Sequence, residues 1–164
     1  MSKLFQKIKG AKGTGTGKYF APGLYRVKIE RCKADQMRDG ADFFVAECRI
    51  LESSNEVCPV GSSASFFVSF KKWPDLAMGN VADFMNDGFR SYLLQNAIGM
   101  DDFEGVDEEL ADEITGETQL LANTVIDVEA FQKVTKTTGN LFTHHRWKVV
   151  DKDEAEKTLA GYPF

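Results

Sequence analysis

Between Gly40 and Trp73 the chain reads GADFFVAECRILESSNEVCPVGSSASFFVSFKKW, two runs of alternating apolar and polar residues joined by a turn-rich connector. A period of two marks a strand with one dry face, because successive side chains point to opposite sides of the pleat. In the first run Phe44, Ala46, Cys48 and Ile50 share one face, and Phe43, Val45, Glu47 and Arg49 the other. In the second, Phe66, Val68 and Phe70 oppose Ser65, Phe67, Ser69 and Lys71. Each strand therefore sets a large ring, Phe43 or Phe67, among polar and basic side chains on the face that is not core. Flat apolar rings beside cations suit unpaired bases and their phosphates. The competing reading buries both rings under a helix or a partner subunit, since apolar groups on surfaces are common.

A length of 164 residues suffices for one domain with its own core, and 43% hydrophobic residues with thirteen Phe fit a folded, β-rich chain. No apolar run approaches the roughly 20 residues that cross a bilayer, and MSKLFQKIKG lacks the apolar segment of a secretory signal. A cytoplasmic protein without membrane contact is expected. Cys32, Cys48 and Cys58 form an odd set, expected as free thiols in a reducing compartment. The net charge of −5 would disfavour nucleic acid if it were spread evenly, but residues 1–33 carry nine Lys or Arg against Glu30 alone. Residues 101–117 carry nine Asp or Glu and no base. A basic arm and strand can grip phosphates while an acidic face elsewhere maintains solubility.

Residues 1–18, with KGAKGTGTGK at their centre, read as a mobile basic arm. GTGTGK does not make a phosphate-cradling P-loop, because Lys12 stands where the first glycine is required, Tyr19 follows Lys18, and no strand precedes it. Pro22-Gly23 leads into a strand in which Tyr25, Val27 and Ile29 alternate with Leu24, Arg26, Lys28 and Glu30, so Arg26 and Lys28 join the candidate binding residues. Asp39-Gly40 favours a tight turn with Arg38 beside its tip as a ligand clamp. Lys71, Lys72 and Trp73 close the second run before Pro74, which has no donor for a further ladder bond. Trp73 is either another base platform or packed on the following helix. The spacing Val81, Phe84, Met85, Gly88, Phe89, Tyr92, Leu93 predicts an amphipathic helix with Asn80 as N-cap and Gly99 as stop. Gly88 inside it costs about 1 kcal/mol relative to Ala, which predicts a close backbone approach.

A second short helix carries Val106, Leu110 and Ile114 on one side, with Asp107, Glu108, Asp112 and Glu113 around the rest, and ends at Gly116. Its carboxylates raise the question of a Mg²⁺-dependent nuclease, but they spread round an exposed helix with no Lys or His partner nearby. A solvated face is the simpler reading, and no catalytic residue, metal or cofactor is assigned. NTVIDVEAFQKV and NLFTHHRWKVV read as the last strands, with Asp127, Glu129 and Phe131 alternating with Ile126 and Val128, and Arg146 opposite Trp147. Lys133 and Lys136 lie toward the turn between them. His144 and His145, adjacent on a strand, face opposite ways and cannot share an ion.

Three strands, a helical segment and two strands is the order of a five-stranded OB-fold barrel, mainly β with inserted helices (α+β). In that fold the face of strands 2 and 3 and the loops joining strands 1–2 and 4–5 bind oligonucleotides. The predicted organisation is the arm over 1–18, an OB-fold domain over 19–150 with a helical insert at about 75–118, and a charged tail over 151–164. The run GLYRVKIERCKADQMRDGADFFVAECRILES, with the Gly-Ser turn, the aromatic strand, Lys71-Lys72-Trp73-Pro74 and the helical insert after it, resembles the OB-fold single-stranded-DNA-binding proteins of tailed bacteriophages. The resemblance implies coating and protecting transient single strands in replication or recombination. Bacterial relatives in that role end in an acidic tail closing on Pro-Phe, so Tyr162, Pro163 and Phe164 are read as a docking tip for replication or recombination proteins, or as a tip tucked onto the domain. Lys152, Lys157 and Tyr162 depart from that pattern.

The expected mechanism is stoichiometric and non-covalent. Bases stack on Phe43, Phe67 and Trp73, and phosphates are tracked by Arg26, Lys28, Arg38, Arg49, Lys71, Lys72, Lys133, Lys136 and Arg146. An oligomer is compatible with this. The alternatives are a barrel used only for protein contacts, as in a scaffold, and a nuclease built on Asp112 and Glu113.

Overall fold

The structure of the protein, a computed structural model, describes residues 19–100, 102–134, 139 and 141–162. The predicted basic arm, Lys136, Pro163 and Phe164 lie outside the described residues. The elements in order are β1 (Gly23–Gln36), β2 (Asp42–Ser53), β3 (Ser63–Ser69), α1 (Pro74–Gln95), α2 (Glu108–Thr115), β4 (Val125–Val134), β5 (Leu141–Lys148) and α3 (Lys152–Gly161). They form a mixed α+β fold around one five-stranded antiparallel sheet of order β3-β2-β1-β4-β5.

Central β1 pairs with β2 over most of its length and with β4 from Gly23 to Lys28. Its register against β2 shifts between Arg26 and Val27 and again between Ile29 and Arg31. Such bulges bend a strand and reset its alternation. The second one explains why Tyr25, Val27 and Ile29 face inward and the next buried residue is Cys32, while Glu30 and Arg31 are both exposed.

The inner face is dry. Val27, Ile29, Phe44, Ala46, Cys48, Ile50, Phe66, Ile126 and Val128 pack with Ala77, Val81, Phe84 and Met85 of α1. Phe84 lies 5.6 Å from both Phe44 and Phe66 and 4.7 Å from Trp147. The two outer strands bend toward each other, since Phe66 on β3 stands 4.9 Å from His145 and 5.0 Å from Trp147 on β5. Phe20 is buried between them, 6.0 Å from His145 and 6.5 Å from Trp147. Tyr19, just before it, makes a parallel bridge with Ser65 along the outer edge of β3. All three cysteines are free and buried, and burial, with Glu47 adding to it, pushes the Cys32 thiol up to about 12.

Three boundaries differ from expectation. Helix α1 begins at Pro74 rather than Val81, with Trp73 in the N-cap position, because proline at the first helical position forfeits a donor that has no partner there anyway. It ends at Gln95 with Asn96 as its cap, ahead of Gly99. Within it, a Cβ on Gly88 would stand 3.0 Å from Leu121 Cδ1, which is the close approach the glycine predicts. The third difference concerns the tail, most of which folds as helix α3. Asp151 caps it by accepting from the Glu154 amide at 2.8 Å. Ala155 is buried with Leu51, Val125 and Val150, and Tyr162 packs against that small cluster. Tyr162 thus takes the tucked position rather than the free docking one.

Helix α2 stops at Gly116 as its pattern predicts but begins at Glu108, after Val106, with Asp107 as its cap accepting from the Leu110 amide at 2.8 Å and Ile114 fully buried. Among the described residues, no helix is long and apolar enough to cross a membrane.

Candidate nucleic-acid interface

On the outer face of β2 and β3, Phe43 and Phe67 occupy diagonal positions, with Val45 opposite Phe67 and Ser69 opposite Phe43. Diagonal neighbours are within reach of large rings. The two stack on one another at 5.5 Å and 26° and are half-buried. Tyr19, 60% exposed, tilts against Phe67 at 6.4 Å and extends the apolar strip past the edge of β3. On the β1 side Lys33 lies in register with Val45. The strip therefore offers planar apolar surface with a cation beside it, the two requirements of base stacking with phosphate contact.

The predicted cations have different fates. Arg38 is exposed near the β1–β2 turn, where Gly40 holds φ at +87° and donates to Met37 O at 2.9 Å. Lys72 and Trp73 are exposed, Trp73 by 71%, so that ring does not pack on the helix it precedes. Lys71 reaches back to Asp39 at 2.7 Å and braces the turn. The same contact, with the Ala41 amide, holds the Asp39 carboxyl below the usual carboxylate range. Asp39, Asp42 and Asp75 then line a depression of about 710 Å³ between the turn and α1, with Lys71 the cation among them. That depression disfavours phosphate, and Arg38 and Lys72 lie outside its lining.

Arg49 donates to Gly61 O at 2.9 Å and sits 3.5 Å from Glu30, and Lys28 is half-buried beside it. Arg26 is a correction. Its guanidinium bonds Asp127 at 2.7 Å and, through Nη1, both Glu154 at 3.0 Å and Thr158 at 2.9 Å on α3, with Glu52 at 3.6 Å. These carboxylates, Asp127 foremost, raise its pKa above the ordinary arginine value despite burial. Its charge is committed to holding α3 on the sheet.

A second group of rings was not foreseen as a site. On the outer face of β4 and β5, Phe131 and His144 stack at 5.5 Å and 18°, and Phe142 tilts on His144 at 5.0 Å. Arg146 lies over Phe131 at 5.0 Å and Lys133 at 5.6 Å, so two predicted cations converge on one ring that the prediction passed over. Arg146 also pairs with Glu129 at 3.2 Å. Burial, then the charges of Lys133 and Arg146, lower the pKa of His144. The sequence signal was present: Phe131 takes the outward phase between Glu129 and Lys133. Neighbouring His145 points inward among rings, and burial followed by His144 lowers its pKa to about 4.

The acidic helix supplies no counterpart. Asp112 and Glu113 are exposed, and among the described residues no three His, Cys, Asp or Glu side chains converge as a metal site would require. Compared with known proteins, the chain matches no family model and no curated relative.

Proposed function

We propose that the protein binds single-stranded DNA, non-covalently and with little sequence preference, on an OB-type barrel whose outer β2–β3 face carries the stacking rings. The observation that carries this reading is the Phe43–Phe67 pair, stacked and half-buried on the face of β2 and β3 opposite the one that α1 packs, with Tyr19 extending it. The barrel reading draws support from the strand order, from α1 and α2 lying between β3 and β4, and from the inward meeting of β3 and β5 through Phe66, His145 and Trp147. Coating of transient strands in phage-type replication or recombination follows as the biological setting of such a module.

The mechanism needs no reacting group. Bases stack on Phe43 and Phe67 at about 1–3 kcal/mol each, and phosphates engage Lys33, Arg38 and Lys72. Titration of labelled dT oligomers at two salt concentrations tests it: log affinity should fall with log salt at a slope of about −0.7 per neutralised phosphate. Salt-insensitive or absent binding would falsify the proposal. A second reading, a module for protein contacts, is favoured by the exposed Trp73, Leu76 and Met78 around the start of α1. It expects no retention on immobilised single strands.

A further inference from the structure

We infer that Phe131, Phe142 and His144, with Lys133 and Arg146, form a second stacking station for single-stranded DNA, across the junction of β3 and β5 from Phe43 and Phe67. The inference rests on the single-strand reading and lengthens the path of the bound strand.

Continuity is the first ground. Phe66 and His145 face each other at 4.9 Å inside the fold. Their strand neighbours Phe67 and His144 alternate to the outer face, so they stand on the outside of the same junction. Tyr19, bridged to Ser65 and 6.4 Å from Phe67, lies along this edge of β3. A strand leaving the Phe43–Phe67 pair and running over Tyr19 meets the His144–Phe131 stack next.

Charge is the second ground. Lys133 and Arg146 approach Phe131 together, with Glu129 the carboxylate that answers them at 3.2 Å from Arg146. Two cations and a ring sharing one carboxylate leave positive charge that a phosphate completes; after burial, the same two charges lower the pKa of His144. In the depression it shares with Arg146, the comparable cation, Arg26, is surrounded by Asp127, Glu154 and Glu52 and tied to α3. The contrast marks the Phe131 end of the β4–β5 hairpin as a further part of the outer face left for a polyanion. Flat rings beside these cations select one with exposed bases.

Full-length protein is titrated with dT oligomers of about 4 and about 16 nucleotides, the ends of the site-size range of one such barrel. The variants are Phe131→Ala and, because that ring is half-buried, Arg146→Glu at a side chain that is 70% exposed. The expected result is a loss of about tenfold or more for the longer oligomer in each variant, with affinity for the shorter one held. Variants that bind the longer oligomer like the parent, or that lose both lengths equally, overturn the second station while the Phe43–Phe67 reading stands. If the parent binds neither oligomer, the proposed function fails and this inference with it.

Discussion

Phe66 and Phe67 are neighbours on β3, yet the pleat sends one into a nest of rings and the other onto a face shared with Phe43 and Tyr19. Phe66 has Phe44, Phe84, His145 and Trp147 within 6.2 Å. Phe67 touches rings that are themselves partly in solvent. The same division separates His145, buried among aromatics, from His144 on the outer strip, and Arg26, enclosed by carboxylates, from Arg146, which overhangs a ring. Residue type alone does not say which of two aromatics or two cations holds the fold together. The face does, together with what the rest of the chain has placed over that face.

The sharpest way to break this distinction is the pair Phe66→Ala and Phe67→Ala. Urea denaturation should give a loss of about 3–5 kcal/mol for the first, by cavity formation, and about 1 kcal/mol for the second, which forfeits half-exposed contacts with Phe43 and Tyr19. Losses of equal size would mean the outer ring is core. Acid separates the histidines. Because the folded state holds His145 at about 4 against 6.5 for the free side chain, the unfolded chain takes up the proton first. Stability should be full above about pH 6.5 and fall by about 3 kcal/mol as pH drops toward 4. His145→Phe should flatten most of that slope, and His144→Phe little of it.

Arg26→Met against Arg146→Met sharpens the comparison for cations. The first should cost about 2 kcal/mol in thermal or urea unfolding, because Asp127 and its neighbours lose a charge-assisted partner. Its oligonucleotide affinity should hold. The second should leave stability within about 0.5 kcal/mol and weaken binding instead. Smallest is Gly88→Ala, about 1 kcal/mol destabilising: the new methyl meets the buried Leu121 side chain, which outweighs the gain in helix propensity.

Period-two alternation made the strands readable, since burial of Phe44, Ala46, Cys48 and Ile50 follows directly from it. The bulge near Glu30 was not readable, because a skipped phase in one strand becomes visible only against its partner. Helix α3 was missed for a related reason. LysAspGluAlaGluLys reads as a solvated stretch, and the role of Glu154 is set by an arginine 128 positions away. The outer pair Phe43 and Phe67 was legible from alternation, whereas the Phe131–His144 stack needed the β4–β5 register to bring two ordinary strand residues together.

The position of β1 in the sheet also governs how the chain reaches this state. Its pairing with β2 closes across a short turn, but Arg26 waits for Asp127, 101 residues on. Loop-closure entropy must be met before that contact forms, so the order of events during folding favours a three-stranded β1-β2-β3 unit first. Until β4 arrives, one side of β1 is an open edge able to recruit the same segment of another molecule. Dilute refolding should therefore recover far more protein than concentrated refolding.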